Sequence, residues 1–382
     1  MRMKKLIILA VAAIALVACS RTFEHHATEP AQIGFSTWAE NLTKTEARVQ
    51  GTSTFLAGDT FAVYGYKDKD DNSDPNVVFD HDGTNDVVVT ASGNPVDDWD
   101  YPNHRFWDSN YDKYIFYAIS PSQIGLDAGV SPTTGAITSA SITFSGKNND
   151  ILVADKKQVD KGSAPYFSNF STVPLVFNHV ASLVDFRVKK TPSLGDATVT
   201  VTAFELSNVD SQGSLSVSAA YTDTHPVASW TEPGTARSSY GPGDGVNSVN
   251  LPIEIDEDTG FDAANPGTPS TATNATTSTY LINNLVAMPQ LFRASNGENP
   301  QKLTITYKIA VTGSSDVEYT SEIYLNQFDF EDDDYNSTAA YVTRWEPGKH
   351  YTFFITLDAH VIDFSATITD WTSISGYHYL VN

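Results

Sequence analysis

Three groups of residues in this 382-residue chain are typed and spaced for chemistry: one ladder of acids, one histidine pair and a single cysteine. Asp68-x-Asp70-x-Asn72-x-Asp74 sets oxygen side chains at alternate positions, as the start of a calcium loop would. An EF-hand also needs a glycine at position 6 for its turn and a bidentate glutamate at position 12. Ser73 and Phe79 stand there, and no helix is expected on either side. The stretch is therefore expected to be a solvated acidic turn, dispensable for folding. Glu254-x-Asp256-Glu257-Asp258 and the run Glu331 to Asp334 take the same reading. His25-His26 lacks the His-Glu-x-x-His context of a zinc helix, so no metal site is expected. A Gly-x-Ser-x-Gly nucleophile elbow and phosphate-cradling glycine loops are missing. A carboxylate pair for glycoside hydrolysis leaves no spacing to read, and 46 acids supply chance pairs. No catalytic residue and no cofactor emerges, so the chain is expected not to be an enzyme.

Cys19 is different, because its surroundings are organised. Residues 1–5 carry three positive charges, and an apolar run from Leu6 to Ala18 follows. That is the layout of a secretory signal. The run is shorter than the roughly 20 apolar residues that a membrane span needs. Leu16-Val17-Ala18-Cys19-Ser20 then resembles the bacterial lipobox, where the thiol is diacylated, the signal is cut before the cysteine and the new amine is acylated. Acyl chains of the palmitate class contribute about 0.8 kcal/mol per buried CH₂, so three of them hold a protein in an outer membrane almost permanently. With one cysteine no intrachain disulfide can form, and stability outside the cell must come from packing.

Removing residues 1–18 takes away Arg2, Lys4 and Lys5 and no acid, so the net charge moves from −23 to −26 over the 364 residues left. Such a charge repels nucleic acid and anionic headgroups. Aromatic residues make up 12% and charged residues 18%, a β-rich balance with enough apolar content for ordered cores. Period-2 runs recur at Phe61–Tyr64, Tyr114–Ile119, Leu183–Val188, Thr198–Phe204, Ser214–Ser218, Leu303–Tyr307, Tyr351–Leu357 and Ile362–Ile368. Bounded by Gly, Pro, Asn and Asp, they are expected to be half-buried antiparallel strands. No sustained 3.6-residue stripe and no βαβ rhythm is present, which leaves an all-β sandwich architecture. The length suggests two domains, meeting near residues 170–182. Residues 67–76 and 219–279 are expected to be loop-like, the second a binding surface or a flap.

Several segments, taken in order, resemble the fimbrillin-like proteins of Bacteroidales, subunits of a pilus whose precursors are lipoproteins. They are the lipobox; Ala47-Arg48 in a polar spacer; Gly58-Asp59-Thr60-Phe61-Ala62-Val63-Tyr64-Gly65; Trp107-Asp108 leading to Tyr114–Ala118; Asp150–Ala154; Phe177–Phe186; Trp345-Glu346-Pro347-Gly348-Lys349; and Ile362–Phe364 running on to Asp370-Trp371. Gly58-Asp59 reads as a turn before an edge strand, and Pro347-Gly348 as a type II turn ahead of a strand. The resemblance implies two tandem antiparallel β-sandwich domains of transthyretin type, residues 49–178 and 179–382, behind a signal at 1–18 and a pro-segment at 19–48. It implies polymerisation with other fimbrial subunits by strand exchange, once an arginine-specific protease cuts between Arg48 and Val49. The exchangeable strand would lie around Ile33–Trp38. Location would be the surface of the outer membrane, or the fimbrium itself, with a host or bacterial surface ligand as a further partner. The short end, Gly376–Asn382, departs from a well-defined donor strand. A rival reading is a glycan-binding surface lipoprotein of a nutrient uptake system, with sugar platforms among six Trp and 18 Tyr. The two differ at the N-terminus: a pilin buries a strand before Arg48, whereas a sugar binder has a loose tether there.

The lipobox reading predicts that Cys19→Ser releases the protein from membranes and abolishes incorporation of labelled fatty acid. Continued membrane partition of the serine variant would show the anchor to lie elsewhere.

Overall fold

The computed structural model describes residues 31–37, 55–69, 76–79, 87–93, 96, 98–122, 136–146, 150–162, 172–217, 227–231, 236–241, 251–255, 280–330, 341–359 and 363–370. Among these residues there is no α-helix. In chain order the first eleven strands are β1 (Gly34–Thr37), β2 (Thr60–Asp68), β3 (Asn76–Phe79), β4 (Val88–Ser92), β5 (Asp98–Asp100), β6 (Lys113–Ser120), β7 (Ile137–Thr143), β8 (Leu152–Ala154), β9 (Lys157–Asp160), β10 (Thr172–Leu175) and β11 (Phe177–His179). The next twelve are β12 (Ser182–Lys190), β13 (Thr198–Asp210), β14 (Gln212–Val217), β15 (Ala228–Thr231), β16 (Arg237–Tyr240), β17 (Ile253–Ile255), β18 (Tyr280–Ala287), β19 (Lys302–Ala310), β20 (Val317–Tyr324), β21 (Asp329–Phe330), β22 (Lys349–Leu357) and β23 (Asp363–Asp370).

An eight-stranded sheet, β11-β8-β6-β2-β4-β5 with β3 and β9 alongside, dominates the first half. Its central strands are apolar on both faces because both faces are covered. Phe61 and Val63 of β2 join Phe116 and Ala118 of β6 in one core, which the β1–β10 pair roofs. Ala62, Tyr64, Tyr117 and Ile119 point the other way, into a second core shared with Val180, Ala181 and Leu183. Continuous apolar sequence such as Phe61-Ala62-Val63-Tyr64 is what a doubly covered strand requires. β2 is thus interior, not the edge strand expected after Gly58-Asp59, although Gly58 does hold the turn at φ +91°.

The second half is a sandwich of β18-β12-β22-β23-β21 against β16-β13-β19-β20, with β17 beside β13. One core fills it, from Val184, Phe186 and Val188 across to Val199, Val201, Ile305 and Phe353. Two expectations need correction here. β12 runs parallel to β22 over eight residue pairs, Leu183 opposite His350 to Lys190 opposite Leu357, and β1–β10 and β21–β23 are parallel as well. Nor is β12 half-buried. Asp185 and Arg187, on its polar face, are buried too, the first bonded to His350 (2.8 Å) and the second lying 4.3 Å from the Tyr280 ring. Polar alternation in β12 therefore marks a covered polar layer and not a wet face.

A three-stranded sheet, β15-β14-β7, joins the halves: β7 precedes residue 178, and β14 and β15 follow it. Gly146 bridges Val286, and the Trp230 indole N–H donates to the Val180 carbonyl at 2.7 Å. β15, β16 and β17 fall inside residues 219–279, where only loop was expected, since strands of three or four residues are too short to show a period.

Gly65 sits opposite Phe79 on one neighbouring strand and Phe116 on the other. A Cβ there would stand 2.5 Å from the Phe79 ring and 3.2 Å from Phe116. Gly65→Ala is expected to destabilise by about 1–3 kcal/mol through overpacking, read as a lower urea midpoint with an unchanged m-value.

Candidate functional site: the N-terminal strand and its seat

β1 is only four residues long, yet few elements are held from so many directions. Ile33 and Phe35 project inward by strand alternation and are buried, while Ser36 and Thr37 stay partly accessible. The Phe35 ring is caged by Phe61, Phe79, Tyr101 and Phe116, all edge-on, with centroids 5.5–5.9 Å away. Edge-to-face pairs contribute about 0.5–1.5 kcal/mol each beyond their buried area. The Ile33 N–H donates to the Arg105 carbonyl (2.8 Å), and the Trp107 N–H donates to the Ala31 carbonyl (3.0 Å). The Tyr101 hydroxyl donates to the Ile33 carbonyl at 2.6 Å. Burial raises the Tyr101 phenol above its ordinary pKa, so this donor keeps its proton at neutral pH.

The ladder itself is weaker than the packing. β10 is the one strand partner of β1 among the described residues, and Ser36 faces Pro174, which has no N–H to give. The strand is seated chiefly by two side chains, two backbone bonds to a loop and one bond from the Tyr101 hydroxyl. Lifted out, it would leave an apolar slot floored by Phe61, Phe79 and Phe116, with the Tyr101 hydroxyl keeping only its contacts to the Arg105 backbone.

Cys19, Arg48, Val49, Trp38 and His25-His26 lie outside the described residues. Arg48 and Val49 fall in sequence between two anchored points, Thr37 at the end of β1 and Phe55. Phe55 is buried against Trp99 (5.0 Å) and Phe177 (5.2 Å). The acidic ladder is described only at its first oxygen. Asp68 corrects its reading as a solvated acid: it closes β2, lies opposite Lys113 in the ladder and pairs with that ammonium at 3.4 Å, largely buried. Asp70, Asn72 and Asp74 lie outside the described residues. Glu254 is exposed, while Asp256–Asp258 and Glu331–Asp334 lie outside. Among the described residues no three metal-ligating side chains come together.

Sequence reasoning missed Tyr101 and the loop to Trp107, which no periodicity marks. It also missed a buried pair at the junction, Asp150 with His179 at 3.0 Å. Both residues lie in segments quoted above, and a charged residue inside an apolar strand run was the available clue. Likewise hidden was a polar knot at the end of β13. There the Gln290 amide accepts from the Asp210 N–H and from Gln301, and donates to the Asp210 and Met288 carbonyls. Arg293 closes this knot on the Asp210 carboxylate.

Residues 45–371 match a family model described as fimbrillin-like, a span that begins just after β1. Among solved structures, a fimbrial protein from Bacteroides vulgatus ATCC 8482 is 18% identical, with TM-score 0.51, over 89% of this chain and 99% of that one. A protein provisionally assigned to cell adhesion from Bacteroides ovatus ATCC 8483 is 16% identical, with TM-score 0.42, over 90% and 98%. Its counterpart from Bacteroides uniformis ATCC 8492 is 14% identical, with TM-score 0.43, over the same shares. None of the curated proteins compared matches the chain.

Phe35→Ala removes the caged ring and is expected to destabilise by about 3–5 kcal/mol. Hydrogen exchange should then quicken at Ile33, Thr172, Val173 and Leu175 before it does so in the second sandwich.

Proposed function

The chain belongs to the fimbrillin-like family, and from that premise we propose that it is a structural or adhesive fimbrial subunit, without catalysis, that assembles with other subunits by protease-triggered strand exchange. The observation that carries this reading is the seating of β1. A pilin of this kind needs a removable strand lying before its processing site, and Ile33 and Phe35 are buried in a slot of their own. The loose tether of a sugar-binding lipoprotein would give no such burial.

In this mechanism Cys19 holds the precursor on the outer membrane through its acyl chains, and the pro-segment 19–48 includes β1. While β1 is in place it fills the slot and blocks the edge of β10. Cleavage between Arg48 and Val49 makes the strand non-covalent, so that it can leave. A strand from a neighbouring subunit then adds in its place, through backbone hydrogen bonds and a pair of inward side chains two positions apart. The domains 49–178 and 179–382 remain after cutting. An arginine suits the role because a trypsin-like pocket takes a long cationic side chain. Arg21 and Lys44 are the other basic residues between Cys19 and Arg48, and cutting at Arg21 leaves β1 attached.

Limited trypsin digestion of the folded mature protein, followed by sizing, tests the mechanism. It should yield a new N-terminus at Val49 and slow growth of oligomers. Arg48→Ala should abolish the Val49 terminus, and Arg48→Ala combined with Lys44→Ala should abolish the oligomers as well, because trypsin also cuts after Lys44. A digest that leaves a stable monomer, with the strand still seated, sinks the exchange step while leaving family membership untouched.

A further inference from the structure

A cleft of about 730 Å³ opens beside the sheet that joins the two halves. One wall is β15, and all four of its residues, Ala228, Ser229, Trp230 and Thr231, line the opening. Side chains alternate across a strand, so a cleft over one face would be lined by every second residue. Four in succession share only their backbone edge. β15 pairs with β14 on one side, and no described strand lies on the other. The cleft therefore runs along an open strand edge.

The opposite wall, 289–291 with 344–347, is of another kind. Gln290 and Trp345 exchange main-chain hydrogen bonds of 3.1 and 2.9 Å, so their backbone is already paired. Pro289 and Pro347 have no N–H to offer. Leu291 stands 62% exposed on this wall, and Arg344 pairs with Glu346 at 2.7 Å, so the cleft carries no net charge. One side offers a strand edge; the other presents an exposed leucine and two prolines.

We infer that β15 is an acceptor edge for a short, extended, uncharged peptide segment of another protein, with apolar residues at alternate positions. The segment pairs with 228–231 by β-augmentation and lays its apolar side chains against Leu291 and the two prolines. Four residues at about 3.3 Å each give an edge of about 13 Å, the scale of a brief and reversible contact. An acidic partner is penalised by the chain's charge of −23. Two polar groups on the lining are already committed inward, the Gln290 amide to its four partners and the Trp230 indole N–H to Val180, so the open backbone of β15 is the larger unmet hydrogen-bonding surface. This site is independent of β1 and of any cut at Arg48.

The test uses the intact mature protein and three probes: an acetylated, amidated Thr-Val-Ser-Val-Thr-Ser peptide, its two versions N-methylated at alternate amides, and maltohexaose. Millimolar peptide is expected to slow amide exchange across Ser229–Thr231 by about fivefold or more. At least one N-methylated version should lose the effect, because its ladder donors are gone. Leu291→Glu, at an exposed position, should weaken binding about tenfold without moving the melting curve. Four results would overturn the assignment: no slowing at millimolar peptide, equal slowing by both methylated versions, protection by maltohexaose instead, or protection that rises with protein concentration alone and so reports self-association.

Discussion

An apolar sheet face has to be covered, and the eight-stranded sheet has two of them. Most of the architecture follows from that constraint. One face carries Phe61, Phe116 and their neighbours and is roofed by β1 and β10. The other carries Tyr64, Tyr117 and Ile119 and is covered by β7, β14, β15 and the crossing at Val180–Leu183. Because the second cover draws strands from both halves of the chain, the halves share a core and do not merely hang from a linker. The first cover is thinner. The β1 segment adds only two inward side chains to it, through a pairing that includes a proline, which makes β1 the least redundant piece of the first half.

Buried carboxylate–histidine pairs specify how the covers are laid down. Asp150 with His179 and Asp185 with His350 lie where the chain leaves one large sheet and enters the other. Hydrogen-bonded polar pairs in such places contribute little net stability, because desolvation offsets the bond. Misplaced register would leave one member buried without its partner, a far larger penalty. Gly348, at φ +69°, brings the Trp345–Lys349 turn so close that an added Cβ would stand 3.0 Å from the His179 carbonyl. The turn therefore packs directly on the same junction.

Much of this was legible in the sequence, and what was not has a physical cause. Phe61–Tyr64, Tyr114–Ile119 and Thr198–Phe204 showed as strands because β-branched and aromatic runs between turn residues have few other uses. A strand around Ile33–Trp38 was placed through the family resemblance, but which of its side chains face inward was not. Pairing was not legible, since a period of two says that a residue is in a strand and not which strand lies beside it. Hence β12 beside β22, in parallel, came only with the structure. The cage around Phe35 was equally hidden, being assembled from residues 61, 79, 101 and 116. Asp68 was misread because a carboxylate at the head of an acidic run looks solvated until its cross-strand lysine is known.

The parallel pairing of Gly34 with Thr172 also bears on the order of events during folding. Closing a loop of that length has an entropic cost that must be met before the contact returns anything. Folds dominated by such distant pairings are slow, in the range of milliseconds to seconds. β1 is the first of the described strands to be made, yet its seat needs residues 61, 79, 101, 116 and 173 already in place. A vectorially emerging chain would hold this segment unpaired through synthesis of the whole first half, and would complete its first sheet layer last.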